Sequence, residues 1–427
     1  MFIKKNNNKK IFFRNLFIKR GKTIFIKMFL LFIFLILYTF SYSIFITNNK
    51  SITRKLLSPT LIARIKDSTI FHYIDSGFQA NIIKNFFVSK LIFEEGFYLN
   101  IKFKDLKKLE YKRSQALDKG VLITSENDYV KAKLVYKNKN YPINIRLKGD
   151  WVNDHLVGDK WSFRVKLRKG KTLFGMKKFS LQTPKTRNYI HEWIFHKLLK
   201  YEKLPGLKYE FVPLFINGKS MGIYAIEEHF DTILIESNEY KEGPILKLSE
   251  SDLWQRAANN KDIKFERFEE WDEISFENTY PEVFQEKTII ENPILRKNLE
   301  YANYLLESFL KNELNTSEVF DIDSLAKFVA LIDLAGAGHA LKWHNLRFYY
   351  NPIIAKLIPV GFDANAGYIQ SELPIKRAKF AKKFLLDQEF RKSYLKYLVK
   401  FSDSKYLDKF FDSISEEFEF NKKLLYK

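Results

Sequence analysis

The chain has 427 residues, a net formal charge of +22 and no cysteine. This length can hold one large domain or two moderate ones with a substantial apolar core. The lack of cysteine excludes disulfides, a thiolate nucleophile and a zinc–thiolate site. The positive charge favours a phosphorylated ligand, an anionic surface polymer or anionic lipid as partner. Because no standard nucleic-acid-binding motif accompanies this charge, we expect no nucleic-acid partner.

The N-terminal part of the chain predicts a membrane anchor. Residues 1–27 contain nine lysines and arginines and no acid, and residues 28–49 contain no charged residue. About 20 apolar residues span a bilayer as a helix, and a basic flank stays in the cytoplasm. We therefore expect a cytoplasmic segment over 1–27, a single transmembrane helix over 28–49, a helical connector over 50–95 and an extracytoplasmic domain over 96–427.

A cleavable signal peptide is the alternative interpretation of this N-terminal segment. Its apolar region would have about 7–15 residues and would end in small residues. The apolar run here is longer and is followed by Ser43-Ile44-Phe45-Ile46-Thr47, which has no Ala-x-Ala-like cleavage site. These two features favour an uncleaved anchor.

Residues 96–246 predict a strand-rich lobe. Apolar and polar residues alternate in several segments, and the dipeptide Asn217-Gly218 supplies the positive φ angles of a tight hairpin turn. One amphipathic helix interrupts the strands. The predicted strands are 130–136, 141–148, 160–168, 177–183, 211–216 and 221–226, and the predicted helix is 187–200.

Residues 247–427 predict a helix-rich lobe. The segment 247–317 is richly charged and mostly helical, and 323–336 has the apolar face of a buried helix. A hairpin follows, and then amphipathic helices run to the end of the chain. Strands in the first half and helices in the second predict an α+β fold with the two-lobe layout of kinase-like folds.

The predicted hairpin brings two polar side chains to its open end. The β-type runs 346–350 and 356–362 flank a turn, so antiparallel pairing places Asn345 beside Asp363. A carboxamide next to a carboxylate can form a hard-cation site, and protein kinases hold magnesium with one Asn and one Asp. The alternative is that Asp363 caps the turn formed by residues 364–367.

These residues belong to an ordered set of motifs that resembles the CotH (spore coat protein H) kinase family, an atypical secreted branch of protein-kinase-like enzymes. The resemblance covers about residues 146–368. The motifs are Arg146-Leu-Lys-Gly-Asp150, Ser162-Phe-Arg-Val-Lys166-Leu, Lys178-Phe-Ser-Leu-Gln182, Arg187-Asn188, Phe215-Ile-Asn217-Gly218-Lys-Ser-Met-Gly222-Ile-Tyr224-Ala-Ile-Glu227-Glu228, Asn345 and Pro359-Val-Gly-Phe-Asp363.

The resemblance implies a domain that binds ATP with magnesium. It implies that Lys166 holds the nucleotide phosphates, that Glu228 positions Lys166 or the nucleotide, and that Asn345 and Asp363 hold the metal. For Lys166 and Glu228 the alternatives are a solvated strand-face charge and a structural edge charge.

Three further cations are candidates for binding the nucleotide. Arg146 and Lys148 share one face of a predicted strand, although a solvated basic face would look the same. Arg187 lies at the predicted start of a helix, where a cation is disfavoured unless it helps the backbone amides to bind an anion. A salt bridge from Arg187 to Glu192 is the alternative.

The chain departs from the typical family pattern in two places. Typical members carry an Asp about five residues before the position of Asn345, whereas residues 339–344 contain no acid. His339 is the candidate substitute base because the pKa of imidazole lies near neutral, and Asp333 is a weaker candidate. The typical metal motif is Trp-Asp-x-Asp, of which this chain keeps only the second acid, in Val360-Gly361-Phe362-Asp363.

The predicted function is that of a membrane-anchored, extracytoplasmic kinase that transfers phosphate from ATP to a hydroxyl of a protein or cell-surface glycan. Two alternatives remain open. One is a catalytically degraded kinase-like scaffold of the cell envelope, which the two departures favour. The other is a module that binds anionic surface polysaccharide through its basic face.

Overall fold

The computed structural model describes residues 95–259, 272, 274–368 and 372–425. The predicted basic segment 1–27, the predicted anchor 28–49 and the predicted connector up to residue 94 lie outside these residues. Within the described ranges, no helix combines the length and the apolar character needed to cross a membrane. The described residues all belong to one unit of the chain, residues 85–427.

Seven strands of the described chain form a closed barrel. They are β1 (Phe97–Ile101), β2 (Val130–Tyr136), β3 (Lys139–Leu147), β4 (Phe163–Leu167), β5 (Lys178–Gln182), β6 (Tyr209–Ile216) and β7 (Lys219–Glu228). Around the barrel the order is β1–β2–β3–β4–β5–β7–β6. Neighbouring strands are antiparallel, except for the parallel pair of β1 and β6 that closes the barrel.

Alternating residues of each strand build the barrel interior. On β7, Tyr224 and Ile226 belong to the core inside the barrel, whereas Ile223 and Ala225 pack outside it, against the helical part of the domain. Because successive side chains of a strand point to opposite faces, one parity of each strand faces the interior and the other faces the rest of the molecule.

The predicted strands and the predicted Asn217-Gly218 turn are confirmed, with φ angles of 49° and 84° at the two turn residues. Three features of this region were not predicted. One is strand β1, and another is the closure of the sheet into a barrel. The third is a helix over Phe103–Lys119, which lies against β2 and β3 and buries Leu109 and Ala116.

A second sheet and most of the helices form the rest of the domain. The sheet has the order β11–β10–β8–β9, with β8 (Ile245–Leu248), β9 (Pro281–Val283), β10 (Arg347–Asn351) and β11 (Lys356–Pro359). The predicted lobe boundary at 246/247 therefore falls within a strand. The described helices are α1 (Phe103–Lys119), α2 (Val152–His155), α3 (Ile190–Tyr201), α4 (Thr232–Ser237), α5 (Ser251–Asn259), α6 (Glu286–Glu291), α7 (Pro293–Leu310), α8 (Thr316–Val319), α9 (Ile322–Ala335), α10 (Lys379–Lys382), α11 (Gln388–Ser402) and α12 (Ser404–Leu425).

Helix α9 lies at the centre of this helical part. Its apolar residues are buried against α3 and α11, and its left-handed C-cap at Gly336 has a φ angle of 58°. The buried helix predicted at 323–336 is therefore confirmed. The helix predicted at 187–200 begins at Ile190, because a 3₁₀ turn over Pro184–Arg187 precedes it.

The hairpin of β10 and β11 has the predicted antiparallel register, which pairs Phe348 with Pro359 and Tyr350 with Leu357. Pairing continues for one residue toward the open end, where the Val360 amide donates to the Arg347 carbonyl at 2.8 Å. Beyond that point Gly361 bonds instead to the carbonyl of Pro205. The second strand is therefore shorter than predicted, and the chain turns away before Asp363.

Candidate functional site

A cleft of about 400 Å³ lies between the outer face of the barrel and the open end of the β10–β11 hairpin. Outward-facing residues of β3 and β4 form one wall. Residues of β8 and β10 and the segments that flank the hairpin form the other. The cleft therefore lies between the strand-rich and helix-rich halves of the domain, which is where the sequence predicts that a nucleotide binds.

Positive charge predominates in this cleft. Seven lysines and arginines line it, against four carboxylates. The cations are Arg146, Lys148, Arg164, Arg187, Lys247, Lys342 and Arg347, and the carboxylates are Asp150, Asp154, Glu250 and Asp363. A concave surface with this excess attracts a ligand that carries several negative charges.

Asn345 and Asp363 meet at the open end of the hairpin through His339. The Nδ1 atom of His339 lies 3.1 Å from Asp363 Oδ1, 2.9 Å from the Asp363 carbonyl oxygen and 3.0 Å from Asn345 Nδ2. The Asn345 carboxamide donates to the His339 carbonyl at 3.0 Å. The structure therefore brings all three predicted residues together, as one hydrogen-bonded group.

A glutamate of helix α3 holds the turn that follows Asp363. The buried Glu192 carboxylate accepts hydrogen bonds from the amides of Ala364 (3.0 Å) and Asn365 (2.8 Å). Glu192 is therefore a partner of this turn. Arg187, for which a bridge to Glu192 was the alternative, instead lies 2.9 Å from Asp363 through its Nη2 atom and 3.8 Å from the Glu227 carboxylate.

The charges around Asp363 shift its pKa and that of His339. Burial opposes ionisation of Asp363, but the Arg187 guanidinium and His339 outweigh it and hold the pKa of the carboxyl far below its usual range. Burial also opposes the charge on His339, but the adjacent Asp363 carboxylate raises the pKa of the imidazole above its ordinary value. Nδ1 of His339 is therefore occupied by Asp363, and the role of His339 as the acceptor of a proton stays a prediction from the sequence.

Lys148 forms a buried ion pair with Glu227 at the back of the cleft. The Lys148 Nζ atom lies 2.6 Å from Glu227 Oε2 and 2.5 Å from Gln182 Oε1. Ser180 Oγ and Gln182 Nε2 each donate to the same carboxylate at 3.2 Å. Lys148 and Glu227 therefore form a buried, hydrogen-bonded ion pair whose lysine lies at the wall of the cleft.

The pKa values of the Lys148–Glu227 pair agree with a charged pair at neutral pH. Burial lowers the pKa of Lys148 to about 8, although Glu227 partly opposes this shift. Burial alone would raise the pKa of Glu227, but Lys148 and Arg187 outweigh it and lower the value to about 2. Both groups are therefore ionised at pH 7.

Two of the predicted residues lie away from this cleft. Lys166, predicted to hold phosphates, forms an ion pair with Glu126 at 2.5 Å and lies over the Tyr129 ring. It shares the outer face of β4 with Arg164 but is two residues farther from the cleft, which Arg164 lines. Glu228 accepts the Lys208 amide at 2.9 Å. The two side chains do not meet the cleft, so the structure does not support their predicted pairing there.

Other predicted residues lie near or outside the site. Arg146 lines the cleft and donates to the Leu147 carbonyl at 3.1 Å. Asp333, the weaker candidate base, bonds to the Tyr394 hydroxyl and is not among the residues that line the cleft.

The sequence analysis missed the role of Glu227, Gln182 and Arg164. These residues could have been identified from the alternation along each strand, in which successive side chains face opposite sides of the sheet. Glu227 has the same parity as Ala225, which packs outside the barrel, whereas Glu228 has the parity of the interior residue Ile226. A shift of one residue exchanges the two faces of a strand, so the adjacent glutamates have different neighbours.

Gly149 fixes the loop that presents Lys148. Its φ angle is 104°, and a Cβ atom there would lie 2.0 Å from the Cγ atom of His155. The His155 ring is itself buried and lies 2.9 Å from the Ser162 hydroxyl. The loop and α2 therefore pack without room for a side chain at position 149.

Replacing Gly149 with alanine is expected to lower the free energy of unfolding by at least about 1 kcal/mol and to weaken ligand binding in the cleft. The added Cβ must displace His155 and with it the Lys148 loop. Gly158→Ala is the matched control, because Gly158 also has a positive φ angle of 79° but has no neighbour within 4 Å. Urea unfolding of both variants separates the clash from the backbone strain, and equal losses would refute this account.

The side chains at the open end of the hairpin do not fit a divalent ion as they are arranged. Both oxygens of Asp363 already lie next to a donor, Arg187 or His339. Among the described residues, no group of three or more His, Asp or Glu side chains is placed to hold a metal. The assignment of Asn345 and Asp363 as magnesium ligands stays a prediction from the sequence.

Comparison with protein families identifies the domain that carries this cleft. The family model described as "CotH kinase protein" matches residues 145–404, which include the Lys148–Glu227 pair, the hairpin and the helices up to α11. No curated protein matches the chain. The matched region is more than half of the chain and contains both walls of the cleft, and the protein therefore belongs to the CotH kinase family.

Proposed function

We propose that this protein is a kinase-like phosphotransferase that binds ATP in the basic cleft and transfers its terminal phosphoryl group to a hydroxyl of a protein or cell-surface glycan. Family membership suggests kinase-type chemistry, with use of a nucleotide and a metal in general. The observation that carries the proposal is the buried Lys148–Glu227 pair at the back of a cleft where cations outnumber carboxylates.

In this proposal the cations of the cleft hold the phosphate chain. Lys148 contacts the phosphates with its position fixed by Glu227, and Arg146, Arg164 and Arg187 stabilise the charge that moves to the leaving group. The acceptor oxygen forms the new bond to phosphorus as the bond to the ADP oxygen breaks. The acceptor proton then passes to solvent. Phosphoryl transfer through a loose transition state needs little help from a general base. The chemistry therefore does not require the aspartate that typical members of the family carry near position 340.

The proposal also includes a cellular location. The basic segment 1–27 and the uncharged segment 28–49 support an N-terminal anchor, with the kinase-like domain outside the cytoplasm. This part rests on the sequence alone. A protease-protection assay on cells tests it, since an extracytoplasmic domain is digested by added protease and a cytoplasmic one is not.

A catalytically degraded binding protein is the second candidate function. It is favoured by the lack of an acid among residues 339–344, where typical members of the family carry an Asp. Phosphate release or transfer from labelled ATP decides between the two. Turnover that Lys148→Met abolishes supports the enzyme, whereas nucleotide binding without any turnover supports the degraded kinase. Binding only to anionic polysaccharide would support the remaining alternative.

Nucleotide affinity is expected to fall as the pH rises through about 8. The pKa of Lys148 is lowered to about 8, so below this pH the ammonium is present and above it the group loses its charge. Because bound phosphate needs the charged form, affinity should fall by up to about tenfold per pH unit above that point. Calorimetric titration with ATP from pH 6 to about pH 9.5 measures the profile.

Lys148→Arg is the control for this pH profile. Arginine keeps its charge throughout the range, so the variant should show affinity that does not change between pH 7 and about pH 9.5. A wild-type affinity that stays constant through pH 8, or an identical slope in the variant, would show that Lys148 does not contact the phosphates.

A further inference from the structure

The carboxylate of Asp363 already has a cationic partner built into the fold. Its Oδ2 atom lies 2.9 Å from the Arg187 Nη2 atom, and its Oδ1 atom lies 3.1 Å from His339 Nδ1. The carboxylate is buried, so solvent does not weaken these interactions. A divalent ion that used Asp363 as a ligand would have to enter beside a guanidinium that is always charged.

Arg187 is not free to move out of the way of a metal ion. The residue is buried and lies between two carboxylates, with its Nε atom 3.8 Å from Glu227 and its Nη2 atom at Asp363. Displacing a buried charge from its partners is strongly unfavourable. The guanidinium is therefore a fixed positive charge of the cleft.

The strand that leads to Asp363 has no space for a second carboxylate. A Cβ atom at Gly361, two residues before Asp363, would lie 2.1 Å from the Cδ1 atom of Leu199 and 3.4 Å from Phe195. Both side chains are fully buried in the helical core. Asp363 is therefore the acid that this segment offers to a divalent ion, and Arg187 already pairs with it.

The arginines of the cleft have buried donors without partners. Among the described residues, the Nε atoms of all four arginines that line the cleft are buried and have no hydrogen-bond acceptor; they are Arg146, Arg164, Arg187 and Arg347. Natural proteins leave few such donors, because each loses the hydrogen bonds that it made to water. These Nε atoms are closed to solvent, so a ligand in the cleft would be bound by the other atoms of the four guanidinium groups, whose geometry matches phosphate.

We infer that this cleft binds the phosphate chain of a nucleotide without a divalent cation, with Arg187 supplying the positive charge at Asp363. The inference rests on the proposed nucleotide-binding function and specifies how the phosphates are neutralised. The bound species is then the metal-free triphosphate, whereas a kinase that uses magnesium binds the complex of the nucleotide with magnesium.

Calorimetric titration of the 427-residue chain with ATP, in excess EDTA and in excess magnesium, tests the inference. We expect the two affinities to agree within about fivefold. Binding that appears only with magnesium, or that weakens more than about fivefold in EDTA, overturns this inference but leaves the proposed function intact. The absence of binding in both conditions overturns the proposed function as well.

Two substitutions sharpen the test. In Asp363→Asn, which keeps the shape of the side chain, Arg187 loses a neutralising partner, so ATP affinity in EDTA should hold or rise. In Arg187→Met, affinity in EDTA should fall about tenfold or more, and magnesium should restore part of it because Asp363 is then available. Arg187→Lys should retain the metal-free binding.

The opposite pattern would identify a metal site. If Asp363→Asn in excess magnesium lowers ATP affinity more than about fivefold while Arg187→Met does not, Asp363 is a metal ligand and the inference is wrong. Because Arg187 is buried, thermal unfolding of each variant is measured alongside. Should Arg187→Met not fold, Asp363→Asn in excess magnesium decides alone: an unchanged or higher affinity supports the inference, and a loss of more than about fivefold overturns it.

Discussion

Replacing Lys148 with methionine is expected to weaken nucleotide binding about 10- to 100-fold, because a hydrogen bond to a charged group contributes about 1.5–3 kcal/mol. Methionine keeps most of the length and volume of the lysine side chain. The Lys148 ammonium lies 2.6 Å from Glu227 at the back of the cleft and is held there for contact with phosphate. Calorimetric titration with ATP measures the change.

Lys166→Met is the matched control for this experiment. The sequence resemblance assigned the phosphates to Lys166, but this residue pairs with Glu126 outside the cleft. The variant should bind ATP as the unsubstituted protein does. A large loss in Lys166→Met with little change in Lys148→Met would reverse the two assignments and would show that the nucleotide lies on another part of the barrel.

Replacing Glu227 with alanine is expected to lower the free energy of unfolding by about 3–5 kcal/mol, because it leaves Lys148 and Arg187 buried without their shared carboxylate. The buried Glu227 carboxylate accepts hydrogen bonds from Lys148, Ser180 and Gln182. Urea unfolding at neutral pH measures the loss. A change below about 1 kcal/mol would contradict the account of this cluster.

Two controls accompany the Glu227 variant. Glu126→Ala removes the acid of the exposed Lys166 pair and should change stability by less than about 1 kcal/mol. The second control is the acid dependence of the unsubstituted protein. Because folding lowers the pKa of Glu227 from 4.5 to about 2, its contribution is present above about pH 4.5 and is lost as the pH falls toward 2. Glu227→Ala should lack this part of the acid destabilisation.

Local patterns in the sequence predicted the elements of the fold but not its closure. Alternation and turn chemistry located the strands and the Asn217-Gly218 hairpin, since these depend on neighbouring residues. The parallel pairing of β1 with β6 joins segments more than a hundred residues apart, and no local pattern encodes it. Helix α1 was missed because its buried face is narrow and most of its residues are charged or polar.

In the candidate site, as in the fold, the sequence predicted what depends on neighbouring residues and not the contacts between distant segments. Antiparallel pairing predicted that Asn345 and Asp363 meet at the open end of the hairpin, and there His339 Nδ1 lies within hydrogen-bond distance of both, although strand pairing already ends at Val360. The contact of Arg187 with Asp363 joins two distant segments and could not be seen in the sequence. The choice between Glu227 and Glu228 could have been made, since strand parity separates the two faces.

A crystal structure with a bound ATP analogue tests the central claim most directly. The account predicts phosphate oxygens within hydrogen-bond distance of Lys148 Nζ and of the guanidinium groups of Arg146, Arg164 or Arg187, between the barrel and the β10–β11 hairpin. Density for the phosphates beside Lys166 on the outer barrel, or no ordered nucleotide in the cleft, would contradict it.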